Sequence, residues 1–130
     1  MLTAAEIRSA LLSRGTQLNS PASESEIRGL ELKLGIKLDD YIASIYRAFN
    51  GFEEGEIDAR SKFSIWPLTH LTSKPPGRMV TFGDFLVRSD DLLFDPSDAR
   101  VPVTTEAGKE VIASSAPQFW DNLVSGQYDF

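Results

Sequence analysis

Ile27-Arg28-Gly29-Leu30-Glu31-Leu32-Lys33-Leu34-Gly35-Ile36-Lys37-Leu38-Asp39-Asp40-Tyr41-Ile42, closing at Phe49-Asn50-Gly51, encodes two helices and two stops. Ile27, Leu30 and Leu34 recur at i, i+3 and i+7, which places them on one helical face, and Gly35 accepts the left-handed conformation that ends the helix. A second helix starts at Asp39 or Asp40, with Tyr41, Ile42, Ile45 and Phe49 as its apolar face. Asn50-Gly51 then offers two residues tolerant of positive φ where the chain must turn.

Toward the amino terminus, Thr3 and Glu6 stand at the capping-box spacing, with Ile7, Leu11 and Leu12 following at helical intervals and Gly15 as a stop. Ser23 and Glu26 repeat that spacing ahead of the quoted block. The pattern predicts helices over 3–14, 23–34 and 39–49. Residues 52–61 are rich in charge without an apolar stripe, and read as a loop or short edge hairpin.

From Lys62 the period changes to two. Phe63/Ile65, Val80/Phe82, Leu92/Phe94, Val101/Val103 and Val111/Ile112 predict five strands between about 62 and 113, with residues 72–77, around Pro75-Pro76-Gly77, as a loop. Gly83 inside a strand signals a bulge or a close backbone approach. Asp95-Pro96-Ser97-Asp98 and Glu106-Ala107-Gly108-Lys109 are turns, the second closing a hairpin. A last helix over 115–124 buries Phe119, Trp120 and Leu123 and ends at Gly126. Helices first, then a strand meander, then one helix predict an α+β domain with a mainly antiparallel sheet, and 130 residues suit a single domain over 1–130.

Charge is distributed unevenly. Residues 1–48 carry six basic and six acidic side chains, so the whole net charge of −6 arises in the remainder, where seven basic residues meet thirteen acidic ones. Such an acidic half is either a solvated surface or a face for a basic partner, and in both cases it repels phosphate backbones, which argues against nucleic-acid binding. With no cysteine there is no disulfide framework, thiol nucleophile or thiolate metal site. No apolar run approaches the ~20 residues that cross a bilayer, and the start shows no basic-then-apolar leader. The expectation is a cytoplasmic protein.

Candidate chemistry is sparse. His70 is the only histidine and has no partner at i+4, so a structural histidine is expected there. Asp84, Asp90, Asp91, Asp95 and Asp98 do not follow a calcium-loop spacing and fit turns and strand ends. No Gly-x-Ser-x-Gly elbow surrounds Ser89, Ser114 or Ser115, and no glycine-rich phosphate loop occurs. Trp66 and Trp120 are expected in the core. The reading is of a protein that is not an enzyme, with no catalytic residue, no metal ligand and no cofactor.

Leu30-Glu31, Leu34-Gly35, Leu38-Asp39, Tyr41 and Asn50-Gly51 together resemble the signature of the SUKH superfamily, which includes a yeast cell-wall synthesis regulator and many bacterial immunity proteins. Asp39 stands where that family usually has proline; both residues suit a helix start. Ile65-Trp66-Pro67-Leu68, Val80-Thr81-Phe82-Gly83-Asp84, Leu93-Phe94-Asp95 and Ile112-Ala113-Ser114-Ser115-Ala116-Pro117-Gln118-Phe119 are similar, in order, to the family's later strands and terminal helix. The resemblance runs from about Ser23 to Val124. It implies the SUKH (Smi/Knr-like) fold, and an immunity protein that binds and neutralises a cognate bacterial toxin, of nuclease type, or alternatively a regulatory scaffold. The surface expected to meet a basic protein partner comprises Glu53, Glu54, Glu56, Asp58, Asp90 and Asp91, read as lying in loops or at strand ends where side chains reach solvent, with Phe52 as an apolar anchor at its centre.

Overall fold

A computed structural model describes residues 1–74, 77–85 and 89–130. Helix α1 (Ala4–Ser13) starts at a complete capping box: the Thr3 hydroxyl accepts from the Glu6 N–H at 3.1 Å and the Glu6 carboxylate accepts from the Thr3 N–H at 2.9 Å. Ser23 and Glu26 do the same for α2 (Glu24–Leu34), which ends at Gly35 with φ 68°.

Helix α3 (Asp40–Ala48) is capped by Asp39, whose carboxylate accepts from the Tyr41 N–H at 2.8 Å. Its second oxygen accepts from the Ala99 N–H at 2.9 Å, and its own N–H donates to the Pro96 carbonyl at 2.9 Å. Asp39 therefore both starts the helix and ties it to the 95–99 loop. A proline there would supply neither the N–H nor the carboxylate.

Among the described residues the sheet has six antiparallel strands: β1 (Phe63–Ile65), β2 (Thr72–Ser73), β3 (Val80–Phe85), β4 (Asp90–Phe94), β5 (Val103–Thr105) and β6 (Val111–Ala113). The order is β1-β3-β4-β5-β6, and β2 shares with β1 the same edge of β3. Two sequence expectations are corrected. Thr72 and Ser73, read as loop, pair with Thr81 and Val80; the Pro75-Pro76 part of that loop lies outside the described residues. Val101 lies before the fourth meander strand, which begins at Val103, because the N–H of Val101 closes a turn onto the Asp98 carbonyl.

Gly83 satisfies both of its expectations. The β3–β4 register slips between Thr81 and Gly83, and a Cβ on Gly83 would sit 2.5 Å from the Ser64 carbonyl oxygen. The extra residue, Phe82, turns into the core, stacking on Phe94 at 4.3 Å and meeting Phe119 edge-on at 5.4 Å. Phe119 and Trp120 come from helix α4 (Ala116–Ser125), which starts at Ser115, ends at Gly126 with φ 90°, and lies against α1 and β6. One cluster of buried side chains takes in all four helices and the inner face of the sheet, with Phe49 edge-on to Trp120 at 5.7 Å.

Of Asn50-Gly51, only the glycine takes positive φ, at 71°. A Cβ on Gly51 would meet the Trp66 carbonyl group at 2.6 Å, so this turn requires glycine for conformation and for space alike. Asn50 acts through its side chain, whose oxygen accepts from the Leu68 N–H at 2.9 Å. The helix-ending pair is thus what presses the 50–53 segment onto the exit of β1.

Candidate functional site

The junction just described leaves a groove of about 480 Å³ on the outer side of β1. One wall is the turn after Phe52, where the Glu56 N–H bonds the Glu53 carbonyl at 2.9 Å and Gly55 has φ 78°. Glu53, Glu54 and Ile57 project from this wall. Its base is held by backbone bonds from Phe52 to Ile65 (2.8 Å) and from Glu53 to Gln17 (3.0 Å), and by the Asn19 amide, which donates to the carbonyls of Asn50 and Phe52.

The opposite side is Trp66, Pro67 and Asp84, with exposed His70 at one end. Strand alternation explains Trp66: Phe63 and Ile65 point into the core, so Ser64 and Trp66 point out. The indole N–H donates to the Asp84 Oδ2 at 3.2 Å, fixing the ring. Asp84 Oδ1 is buried with no hydrogen-bond partner among the described residues. Burial pushes the Asp84 carboxyl above its ordinary range, neighbouring Asp91 pushes it further, and the Trp66 bond only partly opposes them.

The acidic character continues across the sheet. Ser64, Asp84 and Asp91 stand opposite one another on β1, β3 and β4, hence on one face. Burial, then Glu106, lifts Asp91 as well, although Lys74 opposes this and approaches Glu106 at 3.5 Å. Glu53 and Glu54 have no hydrogen bond or ion pair to their carboxylates among the described residues. Among the described residues, the groove lining contains no lysine or arginine.

Of the seven residues expected to meet a partner, the structure brings Glu53, Glu54 and Asp91 onto this side of the molecule. Glu56 is half-buried, its carboxylate accepting from the Gln17 N–H. The expectation of solvent-reaching carboxylates is corrected for Asp58 and Asp90, and that of a surface anchor for Phe52. Phe52 is 1% exposed, its ring taken into the core beneath the groove. Asp58 is fully buried and bridges helix α1 to the loop before β1: Arg14 donates from Nε and Nη2 at 2.9 Å each, Thr16 at 3.0 Å, and Ser61 from N–H and O–H at 2.9 and 2.6 Å. Asp90 lies on the inner sheet face opposite Phe85, accepting from Ala107 at 2.7 Å and Gly108 at 3.1 Å, so it shapes the β5–β6 turn. In both aspartates burial alone would raise the carboxyl, but the donors outweigh it and hold it below the ordinary range.

Sequence reasoning assigned Asp84 and Glu106 to strand ends and turns rather than to a site, did not reveal the groove, and placed Trp66 in the core. Only Trp120 is fully buried; Trp66 is half-buried and lines the groove. The available signal was period two: continuing the Phe63/Ile65 alternation by one residue puts Trp66 outside. Among the described residues, no three His, Cys, Asp or Glu side chains are placed to hold a metal ion, and no helix is long and apolar enough to cross a membrane. No family model matches the chain, and no curated protein matches it.

Proposed function

We propose that this chain is a non-enzymatic, cytoplasmic protein-binding domain with a SUKH-type fold. It engages a basic protein through the Trp66 groove and the acidic sheet face beside it. The observation that carries this reading is the groove's composition: apolar area from Ile57, Trp66 and Pro67 beside the carboxylates of Glu53, Glu54 and Asp84, with no lysine or arginine among the described residues that line it. A half-buried aromatic within a concave patch supplies contact area, and one sign of charge around it steers and selects an oppositely charged partner.

The resemblance to the SUKH superfamily makes the partner a bacterial toxin of nuclease type, neutralised by direct binding. A nuclease presents a basic surface to phosphates, and a carboxylate-rich face competes for that surface. Co-expression with any toxin encoded beside the gene tests the proposal. Protection of the cell, together with a stoichiometric complex by size-exclusion chromatography, is the expected result. A chain that protects against no neighbouring toxin, yet captures a host signalling protein through the same groove, is a regulatory scaffold instead.

A further inference from the structure

We propose that the Trp66 groove is a seat for an arginine side chain of the partner protein. This rests on the protein-binding reading and specifies which group enters the site. The geometry suits a guanidinium better than any other common cation. Trp66 supplies ring area fixed by its hydrogen bond to Asp84, and arginine stacks on indole rings while offering five N–H donors in a planar fork. The Oδ2 atom of Asp84 accepts one indole N–H and keeps capacity for a second donor, whereas Glu53 and Glu54 reach the rim with no hydrogen bond or ion pair to their carboxylates among the described residues. The apolar lining from Ile57 and Pro67 matches the three-carbon stem that follows the guanidinium into such a site.

Electrostatics point the same way. Asp84 is held in an unfavourable setting: its Oδ1 is buried without a donor among the described residues, and Asp91 stands directly opposite on β4. A cation entering the groove attracts the whole carboxylate and relieves that repulsion. Lysine is the poorer guest, because its compact ammonium is strongly hydrated and would have to shed water against the indole ring.

The test uses the full ¹⁵N-labelled chain titrated with acetyl-Gly-Arg-Gly-amide, and with the same peptide carrying lysine or citrulline in place of arginine. The arginine peptide is expected to shift the Trp66 indole N–H and the amides of Glu53, Glu54 and Gly55 saturably at millimolar concentration. The lysine peptide should bind several-fold more weakly, and citrulline should give no saturable shift. Asp84→Asn, which keeps an acceptor for Trp66, should weaken the arginine response roughly tenfold, and Glu53→Gln/Glu54→Gln by several-fold, with the rest of each spectrum unchanged. Equal responses to all three peptides, to arginine and lysine alike, or shifts confined to another surface, would overturn the arginine seat. Binding of the neighbouring toxin, followed in parallel by surface plasmon resonance, separates the two readings. Toxin binding indifferent to Asp84→Asn, with no arginine response, removes the seat and keeps the protein-binding role. An arginine response without toxin binding keeps the seat and removes the immunity role.

Discussion

Asp58→Ala removes a carboxylate addressed by five N–H and O–H donors and leaves the Arg14 guanidinium, which is 11% exposed, without its counter-ion. Counting about 1.5–3 kcal/mol for each hydrogen bond to a charged group would overshoot, because the five share one acceptor and are not additive. The better guide is a broken buried ion pair, roughly 3–5 kcal/mol. With a urea m-value of about 2 kcal/mol/M, the midpoint then falls by about 2 M. Asp58→Asn should be nearly as harmful, since it keeps the shape but not the charge, and Arg14→Met/Asp58→Asn should recover part of the loss by removing both charges. The folded carboxyl lies below its unfolded value of about 3.8. Its contribution to stability is therefore fully present above that value and is lost as pH falls through the lower folded value. Parent and Asp58→Asn should converge in stability in that acidic window and differ most at neutral pH. Urea midpoints within ~0.3 M of each other at pH 7 would refute the structural role of this centre.

Phe82→Ala, at the bulge between Phe94 and Phe119, should cost roughly 3–5 kcal/mol in urea unfolding, as should Phe49→Ala and Trp120→Ala; unchanged midpoints would show that these faces are not core. Gly51→Ala should lose about 3 kcal/mol or more, because strained φ adds to backbone overlap with Trp66. Gly55→Ala, at a similar φ but in open space, should lose only ~1–2 kcal/mol. Glu53→Lys/Glu54→Lys should slow association with a basic partner far more than it speeds dissociation in surface plasmon resonance, and high salt should reproduce the effect on the parent. Equal association rates at low salt would make these glutamates a solvated rim only.

The helices were legible because their causes are local. Thr3 with Glu6, Ser23 with Glu26, Gly35 and Gly126 act within a few residues of themselves, and the structure places each at the helix end its spacing implied. The strands were legible by period, and the bulge by a glycine where a side chain would strike the neighbouring strand. What failed was the assignment of acidic residues to a surface. Asp58 and Asp91 look alike in sequence, each in a charged stretch. One is taken inside by Arg14, forty-four positions away, and the other is turned outward by its register with Asp84.

The amino-acid sequence by itself determined where helices start and stop, where the chain changes to strands, and that the acid excess lies wholly after residue 48. Each of these depends on interactions along a short span of chain or on composition. The tertiary structure alone decided which carboxylates are buried and which face solvent, because that depends on pairings between distant segments. It also made the groove, since only the fold brings the turn after Gly51, the exit of β1 and Asp84 of β3 to one place.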